Sequence, residues 1–238
     1  MAGTLAPEPE GLNPARLSAE LAALFPPGVF AAELAGEAAP GLLTEPELNS
    51  ISHCSEKRIR DFTAGRLCAR RALGALGVVG FSLLPASDRQ PAWPTAVVGS
   101  ITHTAGYSAA VVARRGSLQG LGVDAETIAA VHAELWPRVL GAEELARLAE
   151  LPAPRRRGAA ALAFAAKEAF YKSQYPLTGE WLEFEDIAIE SQDWHLPRGG
   201  FRVRPRRALR LAAHTGAVLG GCFRVHGEFV TCGVALGP

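Results

Sequence analysis

The apolar and polar positions of the first half of the chain predict helices followed by strands. We predict helices over 14–24 and, as one or two helices, over 46–77, and strands near 96–98, over 107–113 and over 118–125. The small residues of 99–106 predict a loop or a strand edge. The residues of 114–117, Arg-Arg-Gly-Ser, are typical of a turn, so we predict a hairpin between the last two strands.

The second half repeats this order. Its predicted helices are 130–140, with a break or kink at Pro137, then 142–151 and 156–175, the last closing at Pro176. Its predicted strands are 181–190, 201–203, 208–213, 217–225 and 229–235, with turns at 199–200 and 226–227. Both halves therefore end in an antiparallel hairpin. We predict an α+β fold of two similar lobes, 1–120 and 121–238, although no sequence repeat supports a duplication.

The helix predicted over 156–175 is apolar almost all round, which is typical of a buried helix. Glu168 stands within it, and burying a carboxylate without a partner is costly. The alternative is a solvent-exposed pair between Glu168 and Lys172, one turn apart, which is worth only about 0.2–0.5 kcal/mol. Because the helix has no polar face for such a pair, we favour a cation close to Glu168.

Asp124 and Glu126 lie two residues apart at the end of an apolar run, so an extended chain points both carboxylates to the same face. Alone, such a pair is as easily explained by solvent exposure or by capping of a following helix. Together with Glu168, however, the two carboxylates supply the oxygen ligands that Mg²⁺ prefers, and Mn²⁺ is the alternative ion. We predict Asp124, Glu126 and Glu168 as metal ligands.

Donors for a phosphate precede this acidic pair. The candidates are Ser100, Thr102, His103, Arg58, Arg66 and Arg89. Hydroxyl groups donate to phosphate oxygens, and arginine forks match those oxygens in pairs. The alternatives are a structural histidine and a solvated helix face for the arginines. With Lys172, these residues favour a site at which a metal ion and cationic side chains hold a phosphate ester.

Composition limits the classes of partner. The chain of 238 residues carries 24 basic and 24 acidic side chains, so no overall charge attracts it to nucleic acid or to a membrane. The arginines of 202–210 alternate in part along a strand pattern, which favours a solvated sheet face over a nucleic-acid site. The arginine triplet at 155–157 is a possible contact for an acidic protein. The sequence lacks the glycine-rich motifs of P-loop and dinucleotide-binding proteins.

Other features bear on location and redox chemistry. The first residues lack the charged and apolar pattern of a secretory signal, and no apolar run approaches the roughly 18 residues needed to cross a bilayer. We therefore expect a cytoplasmic protein. The four cysteines have neither the paired spacing nor the histidine partners of a zinc or redox site, so we expect reduced thiols.

Four motifs together resemble the 4'-phosphopantetheinyl transferases, in the larger single-chain type that serves siderophore, peptide and polyketide synthases. The motifs are Lys-Arg-Ile-Arg-Asp-Phe at 57–62 with Gly-Arg-Leu-Cys-Ala-Arg at 65–70, Gly-Ser-Ile-Thr-His-Thr at 99–104, Gly-Val-Asp-Ala-Glu at 122–126 and Phe-Ala-Ala-Lys-Glu-Ala-Phe-Tyr-Lys at 164–172. They follow the family order. The family usually has serine where Thr102 stands, a change that keeps the hydroxyl.

The resemblance implies the family fold, two pseudo-symmetric α+β lobes, each with a small antiparallel sheet and packed helices, with the active site in the cleft between them. It implies that Asp124, Glu126 and Glu168 hold Mg²⁺, that Glu168 is also the base, directly or through water, and that Lys172 contacts the phosphates of coenzyme A. The residues implied to bind the nucleotide part of coenzyme A are His103, Arg58, Arg66 and Arg89. The implied partner is an apo acyl or peptidyl carrier protein, and two lobes in one chain make a monomer sufficient.

The implied reaction transfers 4'-phosphopantetheine from coenzyme A to a carrier serine and releases 3',5'-ADP. Two alternatives stay open. A metal-dependent phosphoesterase would hydrolyse a nucleotide anhydride with water, and a non-catalytic scaffold would use the acidic cluster only for its structure. A hydrolase would release 3',5'-ADP without a carrier, and a scaffold would show no change in melting temperature with coenzyme A and Mg²⁺.

Overall fold

A computed structural model describes residues 15–38, 41–213 and 219–237. The strands are β1 (Arg16–Leu17), β2 (Phe30–Ala35), β3 (Val97–Thr104), β4 (Tyr107–Arg114), β5 (Gly120–Thr127), β6 (Ile187–Glu190), β7 (Arg198–Pro205), β8 (Gly220–His226) and β9 (Phe229–Leu236). The helices are α1 (Ala19–Ala22), α2 (Glu45–Ile51), α3 (Glu56–Ala75), α4 (Trp136–Val139), α5 (Ala142–Glu150) and α6 (Ala153–Thr178).

The strands form two antiparallel sheets. The first has four strands in the order β1-β2-β4-β3, and the second has five in the order β5-β9-β8-β7-β6. Apolar residues of α3 pack on the first sheet, and those of α6 pack on the second. The predicted α+β fold of two lobes, each with a small antiparallel sheet and packed helices, is confirmed.

Helix α6 is buried along most of its length, as the sequence predicted. The predicted end at Pro176 is wrong, because the helix continues to Thr178 and ends at Gly179, whose φ of 60° is the left-handed conformation that glycine adopts readily. Pro176 lacks an N–H group and removes one hydrogen bond from the last turn. A single missing bond so close to the end does not stop the helix.

Strand β5 lies directly on α6, and glycine makes this approach possible. A Cβ atom at Gly122 would lie 1.8 Å from the carbonyl oxygen of Ala169, and one at Gly120 would lie 2.3 Å from that of Ser173. No side chain fits between the two backbones at these positions. The contact places Asp124, two residues after Gly122, close to the helix that carries Glu168.

The predicted hairpin between the strands around 114–117 is wrong. Strand β4 pairs with β2 and β3, whereas β5 pairs with β9 in the other sheet. The sheets instead meet through side chains, since Ser100, Thr102 and Thr104 of β3 bridge to β5. The hydroxyl groups of Ser100 and Thr102 accept hydrogen bonds from backbone N–H groups of the edge strand β5, and that of Thr104 bonds to the Thr127 hydroxyl.

Several shorter elements also differ from the predictions. In the predicted helix 14–24, residue 14 lies outside the described residues, Arg16–Leu17 is a strand and only Ala19–Ala22 is α-helical. The 130–140 region forms short 3₁₀ turns and the four-residue α4, and Arg210–Ala213 is 3₁₀ helix where a strand was predicted. The glycines at 199–200 lie inside β7. The 217–218 part of another predicted strand lies outside the described residues.

A shared core and an ion pair join the two sheets. Phe25 and Val111 belong to the same buried cluster as Val123 of the second sheet. Arg224 of β8 donates to Glu33 of β2, and its Nη2 atom lies 3.1 Å from the Tyr107 hydroxyl on β4. The side chains of Glu33 and Arg224 are 11 % and 5 % exposed, so the pair is almost removed from water.

Candidate active site

Asp124 lies at the junction of the two sheets and α6. Its Oδ1 atom accepts hydrogen bonds from the Thr102 hydroxyl at 3.0 Å and from the Lys172 ammonium at 2.5 Å. The same ammonium lies 3.5 Å from the carbonyl oxygen of Val123. Lys172 therefore contacts Asp124, and the exposed pair with Glu168 that the sequence left as an alternative is not what forms.

Glu126 and Glu168 lie within the electrostatic reach of Asp124. The pKa of Glu126 is raised to about 7, mainly by burial and then by the charge of Asp124, with a smaller contribution from Glu168 and with Lys172 opposing the rise. Burial is also the largest cause of the raised pKa of Glu168, followed by the charge of Asp124, again opposed by Lys172. The structure thus brings the three predicted carboxylates and the predicted lysine into one electrostatically coupled group.

This group has donors that suit a hard divalent cation, because carboxylate oxygens are the preferred ligands of Mg²⁺. Among the described residues, no hydrogen-bond donor reaches the buried Oδ2 atom of Asp124. In the part of the chain that the structure describes, however, no three His, Cys, Asp or Glu side chains are already arranged to hold a metal ion. The donor types and the unpartnered oxygen fit a cation, while Lys172 holds the opposite oxygen.

A cleft of about 270 Å³ opens beside Lys172, between β3, the start of β5, α6 and the loop before β3. Its lining includes Ser100, Lys172, Tyr171 and Tyr175. The ring centroids of the two tyrosines stack 5.1 Å apart. None of the three carboxylates is among the residues that line the cleft. Lys172 both lines the cleft and contacts Asp124, so the lysine links the acidic group to the cavity.

His103 lies at the exposed end of β3, with its Nε2 atom 4.0 Å from the carboxylate of Asp61. Burial lowers the pKa of His103, Asp61 opposes this effect, and the positive charges of Lys172, Arg58 and Lys57 lower the pKa further. Arg58 is exposed on the first turn of α3. The structure therefore places Arg58 and His103 in one positive region together with Lys172.

The other two predicted arginines lie in different surroundings. Arg66 is buried, donates from Nε to the carbonyl of Leu83 at 2.8 Å and stacks on the Phe62 ring at 3.8 Å. Burial lowers its pKa to about 10. Arg89 is exposed, with a φ of 70°, in the loop that precedes β3. Its neighbour Gln90 lines the cleft, so the loop borders the cavity.

Lys167 of α6 and Glu144 of α5 form a second charged site, for which no role was predicted from the sequence. The Lys167 ammonium donates to Glu144 at 2.7 Å and to two carbonyl oxygens. Lys167 stood inside a recognised motif, yet nothing in the sequence pointed to Glu144, which is 23 positions away. The tyrosines at 171 and 175 could have been found, because their i, i+4 spacing puts them on one helix face.

Comparison with protein families decides what this arrangement belongs to. Residues 45–113 match the family model for the 4'-phosphopantetheinyl transferase N-terminal domain, and residues 120–219 match that for the 4'-phosphopantetheinyl transferase superfamily. The chain belongs to the 4'-phosphopantetheinyl transferase superfamily. The resemblance carried by the four motifs is confirmed.

Individual phosphopantetheinyl transferases are similar over much of the chain. The 4'-phosphopantetheinyl transferase PptT of Mycobacterium tuberculosis is 43% identical over 63% of this chain and 66% of its own length. The transferase Npt of Nocardia iowensis is 39% identical over 71% of this chain and 77% of its own length. Enterobactin synthase component D of Salmonella typhi is 36% identical over 56% of this chain. That match spans 55% of the Salmonella protein, so this relative and PptT are each matched over less than two thirds of their length.

A helix that crosses a membrane has to be both long and apolar. Within residues 15–38, 41–213 and 219–237, no helix is both long and apolar enough to span a bilayer.

Proposed function

We propose that this phosphopantetheinyl transferase moves the 4'-phosphopantetheine group from coenzyme A to a serine hydroxyl of an apo acyl or peptidyl carrier protein. The observation that carries the proposal is the Lys172 ammonium, which lines the cleft and also contacts Asp124 within the acidic group. An ammonium that borders a cavity beside three carboxylates suits a substrate with a pyrophosphate group. The synthesis of a siderophore, polyketide or nonribosomal peptide would use such a modified carrier.

Lys172 would hold the pyrophosphate of coenzyme A. In the reaction, the bond breaks between the phosphorus that carries pantetheine and the oxygen that bridges the two phosphates. The Lys172 ammonium stabilises the negative charge that develops on this bridging oxygen as it leaves. The carrier serine oxygen forms the new bond to that phosphorus. The electron pair of the broken bond leaves with 3',5'-ADP.

Glu168 would accept the proton of the carrier serine, directly or through a water molecule. Burial and the charge of Asp124 raise the pKa of Glu168, and both effects favour proton uptake by this carboxylate, whereas a bound cation would oppose them. The position of Glu168 on a buried helix also fixes the carboxylate relative to Lys172, one turn further along. These two residues are the proposed catalytic pair.

Asp124, Glu126 and Glu168 would hold Mg²⁺, with Mn²⁺ as the alternative ion. Bound to these carboxylates, the ion supplies positive charge against the phosphate oxygens of coenzyme A. Support comes from the carboxylate donor set and from the buried Oδ2 atom of Asp124, which no described donor reaches. The pKa of Glu126 is raised to about 7, first by burial and then by the charge of Asp124, and a cation at this position would oppose both effects.

The remaining phosphate contacts would come from the first lobe. Arg58 and His103 share a positive region with Lys172, so they are suited to the nucleotide phosphates. Ser100 lines the cleft, and Arg89 stands in the loop at its border. Arg66 stays a proposed contact, although its guanidinium already donates to the carbonyl of Leu83. The only proton of the Thr102 hydroxyl is directed to Asp124, so Thr102 would act on that carboxylate rather than on a phosphate oxygen. In this proposal residues 1–120 bind the nucleotide end, residues 121–238 carry the metal and the base, and one chain acts as a monomer.

The proposal is tested by replacing Glu168 with Gln. We expect the Glu168→Gln variant to modify an apo carrier more slowly by about two to four orders of magnitude, because it lacks a proton acceptor. Intact-mass measurement of the carrier over time gives the rate, and thermal unfolding reports whether the fold is kept. Glu185→Gln is the matched control, since Glu185 is an exposed carboxylate outside the cleft lining. Near-normal carrier modification by Glu168→Gln would remove Glu168 from the mechanism.

A further inference from the structure

Three hydroxyl side chains of β3 face the edge of β5. Ser100, Thr102 and Thr104 alternate along the strand, so they point to the same side of the first sheet. Their partners on β5 are, in the same order, the N–H of Val123 at 3.1 Å, the N–H of Ala125 at 3.0 Å and the hydroxyl of Thr127 at 3.0 Å. We call these three side chains the hydroxyl row.

Thr102 differs from the other two because it also contacts a carboxylate. Its oxygen accepts the hydrogen bond from Ala125, so its single proton remains available as a donor. That proton is directed to Oδ1 of Asp124, 3.0 Å away. Both capacities of the hydroxyl are therefore used, one to fix the strand and one to hold the carboxylate.

The Asp124 carboxylate is bonded on one side only. Thr102 and Lys172 both donate to Oδ1, whereas Oδ2 is buried and has no hydrogen-bond partner among the described residues. A buried carboxylate oxygen without a partner is costly unless a ligand completes it. Two donors on the same oxygen fix the orientation of the group and leave Oδ2 as its open position.

We propose that Thr102 is a positioning residue that acts through Asp124. By holding Oδ1, its hydroxyl keeps Oδ2 available to the divalent cation and so raises the affinity for that cation. The inference rests on the proposed function, and it differs from the direct phosphate contact that the sequence predicted for Thr102. Residues that do not bind a metal themselves but hydrogen-bond to its ligands commonly orient those ligands and raise the affinity for the metal.

The test compares three variants of the full chain. Thr102→Val keeps the side-chain shape but removes the hydroxyl, Thr102→Ser keeps the hydroxyl, and Thr104→Val removes a neighbouring member of the hydroxyl row that does not contact Asp124. The affinity for Mn²⁺ is measured from the paramagnetic resonance signal of the free ion, with and without coenzyme A. Thermal unfolding of each variant reports the loss of the bridge between the sheets.

We expect Thr102→Val to raise the Kd for Mn²⁺ by about tenfold or more, whereas Thr102→Ser restores most of the affinity. Thr104→Val should lower the melting temperature and leave the Kd for Mn²⁺ at the wild-type value. Should Thr102→Val not fold, Thr102→Cys, with a side chain of similar size and a weaker donor, is expected to weaken Mn²⁺ binding in the same direction.

Equal Kd values for Mn²⁺ in wild type, Thr102→Val and Thr104→Val would overturn the inference and leave Thr102 as a bridge between the sheets only. The proposed function is tested separately by carrier modification with the wild-type chain. If Thr102→Val weakens Mn²⁺ binding but the wild-type chain modifies no carrier, the inference is supported and the proposed transfer is contradicted. If the wild-type chain modifies a carrier but Thr102→Val binds Mn²⁺ as the wild type does, the proposed transfer is supported and the inference is contradicted.

Discussion

At the scale of single residues, two lysines five positions apart on α6 have different surroundings. Lys167 is 1% exposed, and its ammonium donates to Glu144 and to the carbonyl oxygens of Val139 and Phe184, all within 2.8 Å. These three acceptors satisfy the three protons of the ammonium. Lys172 is partly exposed and contacts Asp124 at the cleft. One lysine stabilises the fold, and the other is available to a substrate.

Replacing the two lysines should separate stability from activity. We expect Lys167→Met to lower the free energy of unfolding by about 3–5 kcal/mol, because Glu144 is left as a buried charge without its partner. Lys172→Met should lower carrier modification severely and cost less stability than Lys167→Met, because the Thr102 hydroxyl still donates to Asp124 in that variant. Urea unfolding followed by circular dichroism measures the first effect, and a carrier assay measures the second. Equal losses of stability in both variants would contradict the distinction.

At the scale of elements, the contact between β5 and α6 positions the acidic group. Gly120 and Gly122 let the strand backbone touch the helix backbone, and Asp124 and Glu126 follow at once on the same strand. Glu168 is supplied by the helix itself. A small shift of strand against helix would therefore separate the carboxylates that the proposed function needs to have close together.

A methyl group at Gly122 should disrupt this contact. Because its Cβ would lie 1.8 Å from the carbonyl oxygen of Ala169, we expect Gly122→Ala to lower the free energy of unfolding by about 3 kcal/mol. The matched control is Gly158→Ala in α6, where an added Cβ meets no atom within 4 Å and where alanine favours a helix by about 0.5–1 kcal/mol. Denaturant unfolding compares the two. A Gly122→Ala variant as stable as Gly158→Ala would show that the strand and helix are not in close contact.

Elements with a strong periodic pattern could be predicted from sequence, and elements set by distant contacts could not. The apolar character of α6 indicated its burial, and the buried strands around Val111 and Val123 were found from their apolar runs. The turn-like residues at 114–117 suggested a hairpin, yet the pairing of β5 with β9 depends on residues more than a hundred positions later. Local turn chemistry cannot reveal which sheet a strand joins.

At the scale of the whole molecule, the two sheets are held together by the hydroxyl row, by a shared apolar core and by the pair between Glu33 and Arg224. Burial alone would raise the pKa of Glu33, but the hydrogen bond and charge of Arg224, with hydrogen bonds from Tyr107 and Ser18, lower it overall. Other charged or titratable groups around the pair include Arg16, Glu20, Cys68 and His226. Glu33 and Arg224 come from opposite lobes, 191 positions apart.

This pair should make stability fall in acid. Because folding lowers the pKa of Glu33 below 4.5, its contribution is complete above the unfolded pKa and is lost as the pH falls through the lower folded pKa. We expect Glu33→Gln to be less stable than wild type at pH 7, by about 3–5 kcal/mol, since Arg224 stays buried without its partner. Unfolding measured from pH 6 to 3 should show a smaller loss of stability in Glu33→Gln than in wild type. A parallel pH dependence in both proteins would remove Glu33 as the source.

The candidate site itself was largely predictable, because its residues lie in short motifs. Asp124, Glu126, Glu168 and Lys172 were proposed from spacing and helix burial; Lys172 contacts Asp124, the charges of the four residues interact, and their roles stay predictions. The double use of the Thr102 hydroxyl could not be predicted, because it depends on the alignment of β3 with β5 across two sheets. The pairing of Glu33 with Arg224 was hidden for the same reason.

The central claim is that this chain joins phosphopantetheine to a carrier serine, and the intact mass of a carrier tests it most directly. After incubation of wild-type chain, coenzyme A, Mg²⁺ and an apo carrier, we predict that the carrier gains the mass of one phosphopantetheine on its serine and that one equivalent of 3',5'-ADP is released. Without the carrier, little 3',5'-ADP should appear. An unchanged carrier mass, with 3',5'-ADP released whether or not a carrier is present, would contradict the account and identify a hydrolase.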